Sequence, residues 1–141
     1  ADDAGGVERA FPIQRRLVRL VAEAMRVAEA SGVRLEAFDE YDPAAYRRGA
    51  AEDRAAIADA MAAVSRFYRQ HTKVKTGIWR DLVVRKRQTE VDSQIGAVTA
   101  RGRRLGVRTP LLDRLVEMIH DLEDGRRPMG WANLDELVAL A

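Results

Sequence analysis

Residues 75–110 constrain the fold more than any other part of this 141-residue chain. A tryptophan-bearing segment, Gly77-Ile78-Trp79-Arg80-Asp81-Leu82, leads to Thr89-Glu90-Val91-Asp92, then to Gly96, then to Gly106-Val107-Arg108-Thr109-Pro110. Thr89 and Asp92 suit a helix start: the hydroxyl accepts a backbone N–H, and the carboxylate sits near the positive end of the helix dipole. Gly106 suits a left-handed stop, and Thr109-Pro110 suits the N-cap and first residue of the following helix. These signals predict one helix over residues 89–105 and another from 110, the latter burying Leu112, Leu115, Val116, Ile119 and Leu122.

The remaining segments also read as helix. Alanine, leucine and arginine dominate, and no alternating run of β-branched residues is long enough for a strand. A first helix is expected over residues 12–31, after a flexible lead over 1–11. Its apolar face would hold Ile13, Leu17, Val21, Ala24 and Ala28, with Arg19 and Glu23 one turn apart on the other side. Gly32 would end it, and residues 33–42 would be a connection with turn chemistry at Asp42-Pro43. A second helix over 52–70 would bury Ile57, Ala60, Met61, Val64, Phe67 and Tyr68. A short one over 78–85 would turn Ile78, Trp79, Leu82 and Val83 inward, with Trp79 as a core or interface anchor. After a break over 125–130, Asn133 and Glu136 suit a capping pair for a last helix over 134–140. Six helical segments and an all-α domain over residues 12–141 are the expectation.

Several function classes find no support. Cysteine is absent, which excludes disulfides and thiolate metal sites and fits a cytoplasmic protein. The longest apolar runs fall short of the roughly 18 residues a membrane span needs, and the small, acidic first residues do not form a signal peptide. The ten glycines make no dinucleotide or Walker-type loop. His71 and His120 stand in no metal-ligand spacing, so no metal site is expected. Ser31, Ser65 and Ser93 lack a nucleophile-elbow context. Formal charge is only +2. The basic clusters, Lys73 to Arg87 and Arg101 to Arg108, therefore read as solvated helix faces or an anion site for a partner domain rather than a nucleic-acid track.

Glu90 has two readings from its residues alone. It can stabilise a first helical turn, worth about 0.3–1 kcal/mol. It can also be a carboxylate held at a helix N-terminus and aimed at a ligand hydroxyl or amide.

Asp81, Thr89-Glu90-Val91-Asp92, Gly96 and Leu105-Gly106-Val107-Arg108-Thr109-Pro110 together resemble the C-terminal domain of the ketopantoate reductase (2-dehydropantoate 2-reductase) family. The resemblance is clearest over residues 76–122. It implies an all-α, multi-helix domain similar to that of 6-phosphogluconate dehydrogenase, which closes a cleft against an N-terminal Rossmann domain that binds NADPH. It implies reduction of a 2-oxo acid, 2-dehydropantoate to pantoate in pantothenate and coenzyme A biosynthesis. A family lysine on the first helix of the domain serves as general acid. Here the first lysine of the chain is Lys73, so that catalytic residue is expected upstream and none in this chain. The chain, starting at Ala1, fits a domain excised from a longer protein. Glu90 matches the family glutamate that contacts the cofactor at the interdomain cleft. Gly77 stands where the family has a substrate-binding serine, with Thr76 beside it, so either Thr76 takes over, water bridges, or the substrate is not ketopantoate. The interval from Asp81 to Glu90 is one residue longer than the family pattern, and Ile95 stands where asparagine is frequent. The alternative is a stand-alone interaction module, a homodimer through the Trp79 face, without catalysis.

Overall fold

The computed structural model describes residues 4–73 and 75–140. Among them are seven α-helices and no β-strand, so the domain is all-α as expected: α1 (Ala4–Ala30), α2 (Pro43–Ala50), α3 (Arg54–Arg69), α4 (Gly77–Arg80), α5 (Ile95–Leu105), α6 (Pro110–Glu123) and α7 (Ala132–Ala139). A π-helical turn, Asp81–Arg85, continues α4 and ends at Lys86 in the left-handed conformation.

The central element is α1, which packs against α2, α3, α5, α6 and α7. It is longer than its sequence predicts. Residues 1–3 of the expected lead lie outside the described residues, but residues 4–11 are helical rather than a loose lead. Packing accounts for part of this extension, because Phe11 lies against the core and the Arg54 guanidinium sits 4.0 Å above its ring. Nor does α1 have a single apolar face. Val18, Leu20, Ala22, Met25 and Val27 are all buried, while Leu17, placed on the expected stripe, is 39% exposed. A helix with neighbours on two sides must bury two stripes, and periodicity alone identifies only one.

Two clusters result. Val18 and Met25 join Ala45, Tyr46, Ile57 and Ala60 from α2 and α3, whereas Leu20 joins Leu111 and Leu112, with Ile95, Val98, Leu115 and Leu140 packed around them. The expected connection over 33–42 runs straight into α2, which sequence periodicity did not reveal. Asp42 and Pro43 are its N-cap and first residue, the Asp42 Oδ1 accepting from Ala44 N at 2.9 Å. Asp53 caps α3 in the same way, accepting from Ala56 N at 3.1 Å. Only the first half of α3 is covered. Ile57 and Ala60 are buried, but Phe67 and Tyr68, expected inside, are 36% and 42% exposed.

Glu23 departs furthest from its expected place. It is 3% exposed, and its two carboxylate oxygens accept from Leu111 N at 3.0 Å and Leu112 N at 2.9 Å. Thr109 occupies the N-cap position of α6 without a capping hydrogen bond of its own. A carboxylate 88 residues earlier in the chain does that work. Burial pushes the Glu23 carboxyl up from its ordinary value, and the two backbone N–H groups oppose that push. Arg19, one turn before Glu23, joins Arg15 on Glu52, where Arg15 Nε donates at 2.6 Å. Gly106 ends α5 at φ +70°, as its type predicts.

Two other capping expectations are corrected. The helix foreseen over 89–105 begins only at Ile95, because residues 90–94 form turns. Asn133 lies inside α7 rather than at its cap, accepting from Arg127 Nη1 at 2.9 Å and donating to Pro128 O at 3.0 Å. Glu136 points back to α6, taking Arg114 Nε at 2.9 Å, so its spacing serves tertiary pairing.

Two substitutions test this architecture. Glu23→Ala leaves two buried amides without a partner and should cost about 2–4 kcal/mol, read from urea unfolding midpoints. Gly102→Ala should cost about 1–3 kcal/mol although alanine is the better helix former. Its Cβ would lie 2.9 Å from the Val107 carbonyl oxygen and 3.1 Å from Val27 Cγ2, so backbone must move.

Candidate functional site

Thr76 begins the segment that matters. Its Oγ1 accepts from Trp79 N at 3.1 Å, capping α4 and placing Gly77 as the first helical residue. A Cβ built on Gly77 meets nothing within 4 Å, so the position opens onto free space. Trp79 is half-buried, with the Lys75 ammonium 4.8 Å above its ring.

Asp81, one turn on, is 5% exposed. Its Oδ1 accepts from Arg85 Nη1 at 2.9 Å and Arg87 Nε at 2.8 Å, and its carbonyl accepts from Arg87 N at 3.0 Å. The two arginines, Arg85 foremost, hold its carboxyl below the ordinary range. This carboxylate fastens the π turn and is not available as a base.

The next carboxylate is differently placed. The turn over 89–94 is anchored at Thr89, whose N–H and Oγ1 both donate to Glu123 Oε1, at 2.8 and 2.6 Å. Thr89 Oγ1 also accepts from Val91 N at 3.2 Å, and Val91 is fully buried. Glu90 therefore stands between two fixed neighbours and is itself exposed. Gln94 Nε2 donates to its Oε2 at 3.2 Å. Among the described residues no protein group donates to Glu90 Oε1, which leaves that oxygen open to a ligand donor.

Thr76, Gly77 and Glu90 line one concavity of about 320 Å³. Asp81 and Gln94 complete its polar edge, and Ile78, Ile95, Leu115 and Ile119 form the apolar wall. All three site residues singled out from sequence are thus brought together by segments 13 or more residues apart. Sequence reasoning missed the wall and the anchors. In the sequence Ile95 stands out only as a departure from the family pattern, and Leu115 and Ile119 have the spacing of core residues. The i, i+3 spacing of His120 and Glu123 is the one signal available for them, and nothing local shows that they reach residues 89–92. Among the described residues no group of three or more His, Cys, Asp or Glu is arranged to hold a metal ion. No described helix is long and apolar enough to cross a membrane.

The arrangement suits a ligand with an apolar body and hydrogen-bond donors at one edge. Its rim offers carboxylate, carboxamide and hydroxyl oxygens and no cation, so an anionic group would need partners elsewhere.

Comparison with known proteins bears on the same segment. A protein-family model described as "Ketopantoate reductase PanE/ApbA C terminal" matches residues 4–123, which contain every residue of the concavity. No curated protein and no solved structure matches the chain. With most of its length covered by that match, the chain belongs to the ketopantoate reductase C-terminal domain family.

Proposed function

We propose that this chain is the cleft-closing domain of a cytoplasmic, NADPH-dependent 2-oxo acid reductase, related in activity to the reduction of 2-dehydropantoate in pantothenate biosynthesis. The convergence of Thr76, Gly77 and Glu90 on one concavity carries this reading. In it, an N-terminal Rossmann domain of the same protein forms the opposite side of the cleft.

The residues present fit the edge of a dinucleotide rather than its phosphates. Glu90 Oε1 can accept from a hydroxyl or carboxamide of the cofactor, while the concavity holds no cation for a pyrophosphate. NADPH, when bound, supplies the hydride that reduces the C2 carbonyl. The Thr76 hydroxyl, which accepts from Trp79 N, keeps its proton free to donate to a substrate oxygen. Ile95, Leu115 and Ile119 take the apolar part of the substrate and exclude water from it. The carbonyl oxygen needs a proton as the hydride arrives. α1 contains no lysine, so in this reading that donor comes from outside α1. Gly77, lacking the family hydroxyl, leaves room for a bulkier branch on the substrate than the family serine would.

A second reading, an interaction or dimerisation module without catalysis, is favoured by a different surface from the one expected. Phe38, 66% exposed, borders an open groove with Phe67 and Tyr68, whereas Trp79 is half-buried. Self-association lost in Phe38→Ser, with turnover indifferent to Glu90→Ala, would favour that reading.

Glu90→Ala should lower kcat/KM of the whole protein with its 2-oxo acid by about 10- to 100-fold, the worth of a hydrogen bond to a charged group. Unfolding free energy should shift by less than about 0.5 kcal/mol, since the side chain is exposed. Steady-state kinetics beside thermal unfolding gives the answer. The opposite pattern would make Glu90 a structural residue.

A further inference from the structure

His120 lies between two carboxylates from different elements. Its Nδ1 is 2.7 Å from Glu123 Oε2 on its own helix, and its Nε2 is 2.8 Å from Asp92 Oδ1 on the turn that carries Glu90. A carboxylate accepts and cannot donate. A neutral imidazole has one N–H and can satisfy one of these partners, while the imidazolium has two and satisfies both. Glu123 is in turn the group that accepts from Thr89 at the start of the same turn. The turn is therefore held to α6 at both Thr89 and Asp92, on either side of Glu90.

We infer that protonated His120 is a positioning residue, tying the 89–94 turn to α6 through Asp92 and Glu123 and holding Glu90 on the concavity, and that deprotonation releases the Asp92 end.

Asp92 is the end that yields because its side chain is 74% exposed and can exchange His120 for water. Glu123, 3% exposed, cannot, so the last ring proton stays on Nδ1. The Nε2 lone pair then faces a carboxylate and repels it. His120 itself is 36% exposed, so water reaches the ring. The charged groups facing it are Glu123 from α6 and Asp92 from the turn, both anionic. Glu123 foremost, and Asp92 after it, raise the ring above its ordinary pKa near 6.5. The sign follows: the tie is complete below that ordinary value and is lost as pH rises through the higher value of the folded protein.

The consequence for turnover rests on the reading of Glu90 given above, but the tie itself does not. Histidine-selective NMR of the whole protein, with His120 assigned by its disappearance in His120→Gln, reads the ring. Hydrogen exchange of the Gln94 amide, which donates to Glu90 O at 3.1 Å, reads the turn. In the wild type the ring should titrate above 6.5, and Gln94 protection should fall roughly two- to fivefold in the same step, the worth of one exposed charge pair. Asp92→Ala should bring the ring back toward its ordinary value and leave Gln94 at the low protection throughout. The kcat/KM ratio of wild type to Asp92→Ala should fall toward one over the same pH step. A wild-type ring titrating at or below 6.5, or unchanged Gln94 behaviour in Asp92→Ala, overturns the tie. Ring and amide changing together while Glu90→Ala leaves turnover intact would keep the tie and sink the role of Glu90 instead.

Discussion

The buried Glu23 carboxylate and the first amides of α6 form the contact on which the rest depends. The first turn of a helix presents N–H groups that its own backbone cannot satisfy, and burying them uncapped is costly. Here α1 supplies both acceptors through one side chain, which fixes where α6 starts and how it lies along the central helix. Everything on α6 inherits that placement. Leu115 and Ile119 become the wall of the concavity, and His120 and Glu123 reach the turn that carries Glu90.

The charged groups around the concavity divide by what already engages them. Asp81 is buried and held through Oδ1 by Arg85 and Arg87, and Glu123 is held through both oxygens by Thr89 and His120, so both serve to hold backbone in place. Glu90 is engaged through one oxygen and, unlike Asp81, is exposed, so its Oε1 is within reach of a ligand. This division makes sense of a helix start that is broken into turns before α5. A regular helix from residue 89 would spend the Glu90 turn on its own hydrogen-bond ladder, whereas the irregular backbone can be pinned from α6 and leave one side chain standing over the cavity.

Much of this was legible in the chain. The all-α class, the stop at Gly106 and the restart at Pro110 came from short punctuation, and a family-like pattern singled out Thr76, Gly77 and Glu90, which line one concavity. The errors have a common cause. Asp42-Pro43 has the chemistry of a turn, and eight residues of helix carry too little periodicity to announce themselves, yet that pair starts α2. Asn133 and Glu136 matched a capping spacing, but each found a stronger, charged partner in Arg127 or Arg114. Phe67 and Tyr68 continued an apolar stripe beyond the point where any other helix covers it.

The sequence by itself determined the local events: the helical character of most segments, and where glycine and proline permit stops and starts. These follow from backbone propensity and spacing over a few residues. Only the tertiary structure decided that Glu23 would be buried as a cap, that Asp81 would be consumed by arginines, and that His120 would bridge two carboxylates. Each of those outcomes sets desolvation against a partner brought in from another segment, and a local pattern carries no information about that partner's distance.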